Sequence, residues 1–215
     1  MKFPFTIEQF LDVFRKYNIA VWPMQVFFMT LALIAVYFSI RTKTFSNKII
    51  VCILAFFWLW MGIVYHLVYF SRINKVALVF GTLFIIQAII FLYFGLIKNK
   101  LSFRLKTDKY GITGIVLIVF ALLIYPLLVY WWGHIYPSAP TFGLPCPTTI
   151  FTFGILLSSV SKISGWVIII PFLWSLLGFS AAFSLGIKED TGLLVAGLFS
   201  IVMIVYRNKS FKTSL

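Results

Sequence analysis

The chain reads as an all-α polytopic transmembrane bundle, and two observations carry that reading. Hydrophobic residues make up 62% of the sequence against 11% charged, and the apolar residues gather into runs of membrane-spanning length. A mean hydropathy of +1.04 excludes a water-soluble globule, which cannot hide that much apolar surface. A third observation, the uneven distribution of Lys and Arg, gives the bundle a direction.

Residues 1–215 are expected to form a single transmembrane domain. Thr6 and Gln9 stand at capping-box spacing, and Phe10, Leu11 and Phe14 oppose Glu8, Asp12, Arg15 and Lys16. Residues 6–17 therefore predict an amphipathic helix lying in the membrane interface. The start MKFPFTIEQF has neither an apolar run of signal length nor a small-residue cleavage site, so no removable signal peptide is expected. Five runs, at about 19–40, 49–70, 76–97, 110–133 and 165–186, each have the roughly 20 residues needed to cross a hydrocarbon core. Two shorter runs, about 149–160 and 191–206, decide the topology.

If both short runs cross, twelve of the eighteen Lys and Arg (Lys212 among them) are cytoplasmic and six, including Lys2, are outside. If 149–160 only re-enters, the division is nine and nine. The positive-inside bias therefore predicts seven spans, N-out and C-in, with a short fifth helix. Basic cytoplasmic loops suit anionic lipid headgroups, and a net charge of +13 with that origin calls for no nucleic acid. Cys52 and Cys146 fall near opposite faces, too far apart for a disulfide.

The stretch YPSAPTFGLPCPTT, Tyr136–Thr149, sets Cys146 between Pro145 and Pro147. Proline lacks an N–H and disfavours helix in the residue before it, so Leu144–Pro147 is expected to be unwound ahead of the fifth helix. Unwound backbone at membrane depth survives only where protein or water satisfies it, which marks the lining of a site. Other polar residues fall at the same depth. His66 lies about one turn from the outer end of the second span, with Tyr65 and Tyr69 placed to hydrogen-bond it. His134 ends the fourth span, Glu189 and Asp190 precede the last, and Gln25 follows Pro23 in the first.

Ionisable groups at membrane depth are costly and often functional. A thiolate with an imidazole suits a soft or borderline cation such as Cu(I) or Zn(II), which makes Cys146 and His66 the expected metal pair. His134, Asp190, Gln25 and Tyr69 are the further ligand or proton-transfer candidates. Each has a plainer role open to it. His134, behind Trp131 and Trp132, fits an aromatic interfacial belt; Asp190 fits a helix cap; Gln25 fits an interhelical hydrogen bond.

No HExxH, CxxC, phosphate-binding loop or nucleophilic-serine motif occurs, and the last span has no lysine for a retinal Schiff base. Coordination, proton transfer and permeation remain. The leading functional reading is a small transporter or permeation protein with an outward-facing polar site. One alternative is a cofactor-binding electron-transfer module with His66 and His134 as axial haem ligands; another is a structural or assembly subunit.

Four blocks, YNIAVWPMQ (Tyr17–Gln25), WLWMGIVYHLVYFSRIN (Trp58–Asn74), YPSAPTFGLPCPTTIFTFG (Tyr136–Gly154) and KEDTGLLVAG (Lys188–Gly197), carry a resemblance. Together they resemble a family of bacterial integral membrane proteins catalogued as domain of unknown function 6064, over essentially the whole chain. The resemblance implies a bacterial inner-membrane protein. It implies no activity, no cofactor and no ligand residues.

Overall fold

Apolar runs in lipid fold as helices because each backbone N–H and C=O must find its partner within the segment. The computed structural model describes residues 4–211, and its regular elements are all helical. Lys2 and Lys212, counted in the charge bias, lie outside the described residues, as does the side chain of Glu189.

The predicted N-terminal helix is present as α1, Ile7–Ala20, with its capping box closed: Gln9 N–H donates to Thr6 Oγ1 at 3.3 Å and Thr6 N–H to Gln9 Oε1 at 2.9 Å. Hydropathy placed the start of the first span near residue 19. Instead the chain turns by 83° between α1 and α2, Met24–Ile40. Pro23 cannot continue α1, while the apolar Ile19, Val21 and Trp22 carry the hydropathy signal across the corner.

Helix α3, Ser46–Trp60, continues as a π-helix through Met61–Tyr69 and a 3₁₀ turn at Phe70–Arg72. Helix α4, Ala77–Leu92, finishes π-helical at Tyr93–Ile97. Helix α5, Lys109–Val119, passes through a π-helical turn at Phe120–Ile124 into α6, Tyr125–Trp131. Then come α7, Pro145–Leu157, α8, Gly165–Leu185, and α9, Thr191–Ser210.

Among the described residues five continuous helices are long and apolar enough to cross a membrane, or six if the bent α1–α2 pair counts as one. The predicted fifth span is α7, whose 13 residues make about 20 Å, too short to cross alone. The helical membrane bundle stands, while helix length supports five or six spans rather than seven.

A second correction concerns the Pro-Cys-Pro segment, which is not unwound. Leu144 is an extended N-cap (φ −85°, ψ 158°) and the helix begins at Pro145. The first turn of a helix has no internal partner for its N–H groups, so prolines there sacrifice nothing. The irregular backbone lies just upstream, in the 132–144 connection. Asn18, fully buried, pins this connection by donating from Nδ2 to the carbonyls of Pro137 (2.7 Å) and Ala139 (2.8 Å).

Helix α7 is the axle of the bundle. Every residue in it except Cys146 is buried, and it packs on α2, α5, α8 and α9. Contact with α5 is made backbone to backbone. A Cβ on Gly114 would lie 2.7 Å from the Gly154 carbonyl, and one on Gly154 would lie 2.9 Å from the Gly114 carbonyl, so both positions require glycine. Trp58 Nε1 donates to Thr152 Oγ1 at 3.1 Å, and Thr152 to the Thr148 carbonyl at 2.8 Å, which satisfies polar atoms in the core.

Candidate functional site

A cavity of about 360 Å³ opens at the Pro145 end of α7, within the range of small-molecule sites. Phe10 and Phe14 of α1 form one wall, Tyr65 of the π-helical segment and Phe80 of α4 another, and Trp174 with Gly178 of α8 a third. Cys146 stands at the helix end between its two prolines, and Asp190 at the start of α9 lines the same cavity. Among the described residues that line it, the ionisable side chains are Tyr65, Cys146 and Asp190, with no Lys, Arg or His.

The sequence made Asp190 a possible cap for α9. It occupies that position with αR backbone (φ −74°, ψ −5°) and makes no side-chain cap bond, because a capping side chain needs extended backbone to reach back to the first turn. Its carboxylate is instead held within the bundle, where Tyr125 Oη donates to Oδ1 at 2.6 Å and the residue is only 4% exposed. Trp174 contributes a different group. Its indole N–H is buried without a hydrogen-bond partner, and Nε1 lies 3.3 Å from where a Cβ on Gly178 would stand. An unmet donor in an apolar wall costs free energy until a ligand or water accepts from it.

His66 is fully buried one layer behind this wall. It packs against Trp174 (ring centroids 5.2 Å apart) and Phe84 (4.6 Å). Its Nδ1 lies 2.9 Å from the Met61 carbonyl, which can only accept. The proton therefore sits on Nδ1, and Nε2 is left as an acceptor without a partner. The tyrosines expected to bond it do not: Tyr69 packs edge-on to Tyr17, with Arg72 over its ring at 5.5 Å.

Gln25 belongs to the Asn18 knot, donating from Nε2 to the Asn18 carbonyl at 3.0 Å. His134 lies half-buried past α6, its backbone N–H donating to the Val129 carbonyl at 3.0 Å. The structure thus brings Cys146 and Asp190 to one cavity and places His66, Gln25, Tyr69 and His134 outside its lining. Among the described residues no three His, Cys, Asp or Glu side chains gather as a metal site.

Tyr125 and Trp174 were not singled out in the sequence, and Tyr65 entered only as a hydrogen-bond partner for His66. Each sits in an aromatic-rich apolar run, where its hydroxyl or N–H looks like any interfacial anchor. The π-helical segment is no easier to read, since its apolar and aromatic residues are of the same kind as those of the α-helix before it.

Residues 7–214 match the family of unknown function DUF6064. The chain belongs to that family. No curated protein and no solved structure matches it significantly. For this DUF6064 member the chemistry of the cavity is the guide to function.

Proposed function

We propose that this DUF6064 protein is a bacterial inner-membrane carrier or permeation protein whose cavity takes a lipophilic organic cation, an onium or ammonium group on an apolar body. One observation carries the proposal. In a chain of net charge +13, the cavity presents seven aromatic rings, and its only ionisable lining groups among the described residues are acids. Aromatic faces attract cations, and the buried Asp190 carboxylate supplies a counter-charge. Val76 and Leu177, 52% and 49% exposed, carry the wall to the outer surface of the bundle, giving a bilayer-soluble ligand a lateral way in.

The soft-metal form of the transport reading needs Cys146 and His66 on one ion. The organic-cation form needs only groups that line the cavity, and it is the form adopted. At the opposite end, the basic loops are taken to lie against anionic headgroups.

Binding of tetraphenylphosphonium, compared with its isosteric anion tetraphenylborate, tests the proposal on purified protein in neutral detergent. The cation is expected to saturate one site and the anion to show only micellar partitioning. Asp190→Asn should weaken cation binding about tenfold while keeping an acceptor for Tyr125. Equal binding of both ions, or saturation by neither, would remove the proposal. Cation uptake into proteoliposomes then separates a carrier from a receptor.

A further inference from the structure

The Leu157 end of α7 holds a second, chemically opposite cavity. Arg207, near the end of α9, is only 6% exposed, and its guanidinium donates from Nη1 to the Leu157 carbonyl at 2.9 Å and from Nη2 to the Leu156 carbonyl at 3.1 Å. The Tyr110 ring centroid lies 5.4 Å from its Cζ. Nε is buried with no hydrogen-bond partner, and the salt bridges found among the described residues are those of Asp12 with Arg15 and Lys16, far from here in the chain. The C-terminal carbonyls of a helix carry about half a negative charge, and the acid whose charge reaches the guanidinium is Asp108. Buried charges are ordinarily paired.

Beside Arg207 is a cavity of about 140 Å³ whose lining adds the exposed Arg104 and Lys106, with Ser158 and Ser159 at its floor. Asp108 is the one acid in the described lining, and its Oδ1 already accepts from the backbone N–H groups of Tyr110 (3.0 Å) and Gly111 (2.9 Å) as the cap of α5. Three cations therefore share one carboxylate around a space large enough for a tetrahedral oxyanion.

We infer that this pocket is a binding site for a phosphate group, with the Arg207 Nε–H and the Arg104 and Lys106 side chains as its donors. Guanidinium groups match the oxygen spacing of phosphate, and a charge-assisted bond there supplies the partner that Nε lacks. The same chemistry serves the phosphodiester of an anionic lipid or a free phosphate. It differs from the diffuse attraction of basic loops to headgroups, because it is one site with defined donors.

The test uses the full chain in neutral detergent. Native mass spectrometry would count retained phosphatidylglycerol, and thermal midpoints would be compared with and without inorganic phosphate, chloride being the control at equal ionic strength. The pocket variant Arg104→Gln/Lys106→Gln leaves the Arg207 contacts to α7 intact. The control variant Lys43→Gln/Lys48→Gln removes the same charge from exposed basic positions that do not line the pocket. One retained lipid per chain, bound about tenfold more weakly in the pocket variant and unchanged in the control, supports the site with lipid as its source. Stabilisation by inorganic phosphate, lost only in the pocket variant, supports it with free phosphate as the source. Equal losses in both variants would overturn the pocket and leave only the diffuse attraction. Absence of any anion effect in the wild type would overturn it as well.

Discussion

At its first turn α7 removes two of the backbone donors that a helix leaves unsatisfied, whereas at its last turn it keeps its acceptors and brings in a cation. Pro145 and Pro147 have no N–H, and the N–H of Thr148 reaches the Leu144 carbonyl at 3.3 Å. The wall there stays largely apolar and an aromatic, acid-edged cavity fits against it. At the other end the Leu156 and Leu157 carbonyls accept from Arg207, and the Ser158 carbonyl accepts from the Arg104 N–H at 2.9 Å. One buried helix thus ends in two cavities of opposite character, and the treatment of its end groups explains why.

The comparison breaks most visibly at Arg207. Arg207→Met should strand the Leu157 carbonyl, while the Leu156 carbonyl keeps the Ser159 N–H at 3.1 Å, and cost up to about 3 kcal/mol, read as a drop in thermal midpoint, with Arg207→Lys recovering part of it. Gly154→Leu should follow. Its Cβ would lie 2.7 Å from Ile118 Cγ1 and 2.9 Å from the Gly114 carbonyl, so α5 must move away from α7, at about 1–3 kcal/mol.

Thr6→Ala opens the capping box of α1 and should cost about 1 kcal/mol. Because Phe10 and Phe14 of that helix line the first cavity, the same variant should also speed dissociation of tetraphenylphosphonium. Smallest of all should be Pro145→Ala, under about 1 kcal/mol, since alanine only restores a donor at the cavity edge. A loss as large as that of Arg207→Met would show that the two ends are not treated differently.

How much of this was legible in the sequence depends on whether a feature is local. The helical runs follow from hydropathy, and the capping box of Thr6 and Gln9 follows from spacing. The corner at 21–23 is invisible to hydropathy because its side chains are as apolar as those of a span. The helix start at Pro145 was missed because the rule that proline excludes helix was applied where the first-turn exception holds.

Cys146 and Asp190 were recognisable as residue types, and their place in one cavity rests on packing between segments more than forty residues apart. Arg207 looked like one more flanking charge of the positive-inside kind. Only the packing of α7 against α9 reveals it as buried, and nothing in the residues around it announces that.

The most direct test of the central claim, that a lipophilic cation occupies the cavity at the Cys146 end, is protection of that thiol. In a Cys52→Ser background, the rate at which N-ethylmaleimide modifies Cys146 would be measured alone, with tetraphenylphosphonium and with tetraphenylborate. Occupancy of the cavity predicts that the cation slows the reaction about tenfold at ten times its dissociation constant, while the borate leaves the rate unchanged. A rate indifferent to the cation, or slowed equally by both ions, would contradict the account.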